Sequence, residues 1–208
     1  WGLTAAVEAA GLRNLAPLQF AFWGTTFGTV GALALARFTG TLRETAAFSP
    51  KSHAMLLLLS VLGFSGYFAL KFTSFILSPI PQANVLQYTF TIFIVLFAVP
   101  VLKQPLTLLK CLSMLIGFSG AVVVMTGGQL FSPDTAAIPG YLFALGAGVS
   151  FALFSVLSEK ASFPRIPALV FYHGYSALTL ASVLLLSGDM VFPATLGETA
   201  AAFYSGFV

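Results

Sequence analysis

Asn84, Gln87, Tyr88 and Thr91 are the polar side chains at the head of a long apolar run. They fall at i, i+3, i+4 and i+7, which on a helix is one stripe. Their chemistry is hydrogen bonding. Two amides and a phenol can hold a polar solute, or they can bond across a helix interface inside a bundle, where each bond contributes about 0.6 kcal/mol on average. Both readings stand. A second face carries Ser60, Gly63, Tyr67, Lys71 and Ser74 at spacings of three and four. Here Lys71 either snorkels its amine to an interface or meets an anionic group of a solute at a cavity mouth. A third stripe, Phe151, Phe154, Ser155 and Ser158, suits the wall of an aromatic cavity. A fourth cluster holds Tyr172, His173, Tyr175 and Ser176. An imidazole inside a membrane can relay protons, and an interfacial Tyr/His belt is the alternative.

Other chemistries are missing. There is no Walker loop, no HExxH and no pair of acids inside an apolar run, so an enzyme is not expected. Two histidines and a single cysteine, Cys111, do not make a usual zinc site, and no metal or cofactor is expected. Glu8 groups with Asp134, Asp189 and Glu198 on one side. No embedded carboxylate is therefore expected, and ion coupling is left without a carrier.

The elements that must position these residues are membrane helices. The chain is 58% hydrophobic and 7% charged, with mean hydropathy +0.97, whereas a soluble domain is about 25% charged. Too little polar surface remains to cover a water-soluble globule. Apolar runs are predicted at Trp1–Ala10, Leu15–Ala36, Ala54–Phe72, Val85–Leu102, Leu106–Thr126, Pro139–Leu157, Ala168–Leu186 and Ala200–Val208. The connectors are short and rich in Gly, Pro, Ser and Asp, leaving no room for a soluble domain. Polar stripes on such helices face protein or a water-filled cavity, because amides facing lipid would lose their hydrogen bonds. Pairs of small residues, Gly24-x3-Gly28, Gly63 to Gly66, Gly117 to Gly120 and Gly146 to Gly148, suit close helix contacts.

Basic residues sort by side. Arg37, Arg43, Lys51, Lys103, Lys110, Lys160 and Arg165 lie on the side reached after the second helix (side A), and only Arg13 and Lys71 lie on side B. The positive-inside rule makes side A cytoplasmic. The basic residues are single and scattered, so no nucleic acid is expected. Pro17-x6-Gly24 recurs as Pro167-x6-Gly174. An odd number of spans separates the copies, which inverts one relative to the other, the plan of many secondary transporters.

Trp1-Gly2, Tyr67–Ser74, Val85–Phe90 and Gly117–Val124 resemble the EamA domains of the drug/metabolite transporter superfamily. The resemblance implies an all-α polytopic bundle of ten helices in two inverted five-helix repeats. Here 1–128 would be the first repeat and 136–208 part of the second, with the chain running from mid-first helix to early eighth. It implies a plasma-membrane secondary transporter that exports a small metabolite or amphipathic solute by alternating access. A non-transporting membrane scaffold or subunit is the alternative. The solute site is expected at Trp1, Tyr67, Lys71, Asn84, Gln87, Tyr88, Phe154 and Ser155. Expected partners are the lipid bilayer, the solute and, as one option, a second copy in a homodimer. Two departures stand out. Thr91 takes the place of a proline common in the fourth helix, and Gln104 that of a glutamate common after it. The first bears on the bend of the helix.

Overall fold

The computed structural model describes residues 3–126 and 135–207. Its helices are α1 (Thr4–Gly11), α2 (Pro17–Phe38), α3 (Pro50–Leu77), α4 (Ile80–Leu102), α5 (Leu108–Thr126), α6 (Ile138–Ala161), α7 (Arg165–Ser187) and α8 (Leu196–Phe207). No strand occurs among the described residues. Each predicted run contains a helix, and α3, α4, α6, α7 and α8 extend beyond their apolar stretches. In α3 the Ser49 hydroxyl accepts from the Ser52 amide at 3.2 Å and Pro50 supplies the first turn.

Two helices leave regular geometry. In α3, Val61–Ser65 forms a single wide π turn. In α4, the backbone tightens at Tyr88 and Thr89, where the amides of Thr89, Thr91 and Ile92 bond three residues back. The break occurs without a proline at Thr91. The Thr91 hydroxyl donates instead to the Tyr88 carbonyl at 3.0 Å, a back-bond that bends helices.

α2 packs on α7 and α8, α3 on α6 and α7, α4 on α6, and α1 on α8. Glycines set the closest approaches. A Cβ on Gly206 of α8 would strike the Gly24 carbonyl and the Gly28 amide of α2. A Cβ on Gly148 of α6 would lie 3.1 Å from the Thr89 hydroxyl and 3.2 Å from the Gln87 carbonyl, at the α4 break. A Cβ on Gly117 or Gly120, by contrast, would meet nothing within 4 Å among the described residues. α5 is peripheral, and its exposed Leu108, Leu109 and Ile116 form a surface suited to lipid.

Candidate solute cavity

A cavity of about 1100 Å³ lies between α2, α3, α6, α7 and α8, with α1 at its inner end. Its walls are aromatic. Tyr67 packs on Phe151 with ring centroids 5.0 Å apart, Phe151 on Phe154 at 5.8 Å, and Phe154 on Tyr172 at 5.3 Å. Phe64 lies 4.5 Å from the His173 ring. Gly63 makes room for Phe154, since a Cβ there would run into its ring.

The inner end is charged. Lys71 Nζ donates to Glu8 Oε1 at 2.8 Å, and the two side chains are only 9% and 2% exposed. The Lys71 ammonium also lies 5.6–5.8 Å from the ring centres of Tyr67, Phe72 and Phe75. Lys71 therefore does not snorkel. Glu8 corrects the expectation of no embedded carboxylate. It sits in the last turns of α1, facing α3, and the bond to Lys71 replaces the hydration both charges lose. A signal for it existed. A basic residue placed against the charge rule calls for an acidic partner at the same depth, and Glu8 lies near the same end of its helix.

Beyond the pair, the side-B half is filled. Leu15, Phe20, Ala21, Phe72, Phe75, Ala83, Ala144, Leu180, Ala201 and Ala202 form one buried cluster there. The side-B connectors are tied across it. Asn14 Nδ2 donates to Glu198 Oε1 at 2.8 Å, Gln19 Nε2 to the Asp189 carbonyl at 2.8 Å, and Trp23 Nε1 to the Val191 carbonyl at 2.9 Å. Toward side A the cavity instead runs out to Ser162 and Arg165, at the α6–α7 connector.

The expected site residues separate. Tyr67, Lys71 and Phe154 line this cavity. Gln87 is buried behind it and donates to the Tyr67 hydroxyl at 2.6 Å. Asn84 and Tyr88 are half-buried and Thr91 is exposed, because the α4 break ends the stripe between them. Ser155 faces a second, smaller cavity between α4, α5 and α6, and its hydroxyl donates to the Phe151 carbonyl at 2.8 Å. Trp1 lies outside the described residues. His173 lines the main cavity and not an interfacial belt, and its Nδ1 is buried without a partner among the described residues. Tyr175 does sit with the side-A aromatics, its hydroxyl 2.7 Å from His53 Nδ1. No cluster of residues suited to a metal occurs among the described residues.

Comparison with known proteins agrees with this architecture. A solved crystal structure superposes with a TM-score of 0.75 at 22% identity, covering 99% of this chain and 72% of the other. That likeness concerns the fold. The Aromatic amino acid exporter YddG of Ancylobacter novellus is 32% identical over 108 residues, which is 50% of this chain. The chain spans about a third of the length of that relative, 36%. The EamA-like transporter family matches over residues 1–126. An all-helical bundle with five helices long and apolar enough to cross a membrane, matched over more than half its length, makes this a multi-pass membrane protein that belongs to the EamA-like transporter family.

Proposed function

We propose that this chain forms the translocating core of a secondary transporter that exports a small aromatic or amphipathic solute across the plasma membrane. The observation that carries it is the cavity itself, aromatic along its walls, with the buried Glu8–Lys71 pair at its inner end. Such a space takes an apolar body and one polar head. The name of the YddG relative, an aromatic amino acid exporter, supports the same class of solute. The charge bias makes side A cytoplasmic, so the cavity is loaded from the cytoplasm while the side-B cluster stays shut.

Residues 1–128 and 136–208 act as two inverted units that rock about the cavity. The pairing of α1 with α8 and of α3 with α6 supports this, since a two-fold exchange of the units maps one pair on the other. Tyr67, Lys71 and Phe154 touch the solute, while Gln87 acts one step back by holding the Tyr67 hydroxyl. Trp1, Asn84, Tyr88 and Ser155 are the remaining candidates for the path.

The test is flux. The full-length protein in liposomes should move aromatic solutes against a protein-free control, and Phe154→Ala, which removes a wall ring without stranding a charge, should lower this at normal abundance. Absence of flux across a broad metabolite panel would favour a scaffold and overturn the transporter reading.

A further inference from the structure

The Glu8–Lys71 pair is incompletely satisfied. Glu8 Oε2 is buried with no hydrogen-bond partner among the described residues, and an ammonium has three protons to donate, of which one goes to Oε1. Both groups line the cavity. The pair joins two helices with different attachments, α1 packed on α8 and α3 packed on α6. Along α3, Lys71, Tyr67 and Phe64 fall at spacings of four and three, one face that runs from the charge out along the aromatic wall. Lys71 to Phe64 spans about 10 Å of helix axis, the length of a small polar head plus one aromatic ring.

We propose that the Glu8–Lys71 pair is the head-group site for a zwitterionic aromatic solute, whose carboxylate takes Lys71 while its ammonium takes Glu8. This rests on the transporter reading and names the solute's charge type. The physical reason is charge balance. In this buried setting a charge is tolerated only when paired. A zwitterion inserts one positive and one negative group between the partners, so both keep an opposite charge and the unfilled acceptor on Oε2 gains a donor. A solute with only an amine or only a carboxylate satisfies one partner and strands the other. Insertion also replaces a direct contact of 2.8 Å with a bridged one. It thereby separates α1 from α3, which transmits occupancy to the units on which each helix is packed.

The full-length protein in liposomes provides the experiment. Efflux is measured for L-phenylalanine, phenethylamine, 3-phenylpropanoate and uncharged N-acetylphenylalaninamide. L-phenylalanine should be preferred at least tenfold over each of the other three. In Glu8→Gln/Lys71→Gln, a pair that can still hydrogen-bond, that preference should fall to within about twofold. Monodispersity and melting temperature establish that the variant is folded, and binding of L-phenylalanine read by thermal shift should be lost with the preference. Equal flux of all four solutes by the parent protein would overturn the head-group assignment while leaving a transporter. So would a folded double variant that keeps the preference. No flux of any of the four would overturn the transporter reading and this proposal together.

Discussion

Glu8 and Lys71 are nearly buried, and each is the other's counter-charge. Removing one partner of a buried pair costs about 3–5 kcal/mol, whereas removing both is far milder. Lys71→Met should therefore unfold more easily than Lys71→Met/Glu8→Gln, a reversal of the usual order for single and double variants. Denaturant titration of purified protein reads the difference, and an additive result would mean that the two charges are hydrated in the membrane. The Gln87–Tyr67 bond is a gentler case. Gln87→Leu and Tyr67→Phe each remove the same hydrogen bond, so their effects on stability should fall short of additive by roughly 0.6–1.7 kcal/mol. This residue pair also shows what the sequence made legible. The amide and the phenol are evident as polar positions on apolar helices, but that they bond to each other across α3 and α4 depends on helix rotation. That rotation is set by contacts far away in the chain.

At the scale of elements, the irregular turns decide which residues reach the cavity. The π turn at Val61–Ser65 adds backbone to one turn of α3 and leaves the Leu62 carbonyl free to accept from Ser150 of α6 at 2.7 Å. One alanine inserted after Gly66, in the regular helix that follows the π turn, should rotate everything beyond it by about 100°. Tyr67 and Lys71 would then leave the cavity. The expected outcome is loss of transport together with loss of the reactivity of Lys71→Cys toward aqueous maleimides from side A. The break in α4 acts the same way on its stripe, keeping Gln87 inward and turning Thr91 out. Periodicity reads a helix as regular, so it placed these four residues together. Neither irregular turn has a proline at its centre to announce it in the sequence.

For the whole molecule, side B is closed by a packed cluster and by the bonds Asn14–Glu198, Gln19–Asp189 and Trp23–Val191. These ties join the α1–α2 segment to the α7–α8 connector and the first turn of α8, one from each proposed unit. Weakening them should shift the population toward a side-B-open form. With Cys111 replaced by Ser, Thr4→Cys should react with a membrane-impermeant maleimide only from side A. Adding Asn14→Ala and Gln19→Ala should make it reactive from side B as well. Thr45→Cys, in the α2–α3 connector, should react only after the cytoplasmic face is exposed. Labelling of Thr45→Cys in intact cells would overturn the orientation.

The sequence by itself determined the class of protein, the number and place of the helices, and the charge bias between the two sides. These follow from composition and run length, which are local properties, and from the energy of placing polar groups in lipid. It also marked Tyr67, Lys71 and Phe154 as polar or aromatic positions worth placing. Only the tertiary structure decided that Lys71 meets Glu8, that His173 faces the cavity, and that Ser155 and Thr91 do not. Each of these depends on the rotation of one helix against another. That rotation is fixed by close packing at Gly24, Gly28 and Gly206 and by two irregular turns. Long-range contact of this kind leaves no periodic trace in a single chain. The buried ion pair is the plainest instance, since its halves lie on α1 and α3 and only folding turns two isolated charges into one site.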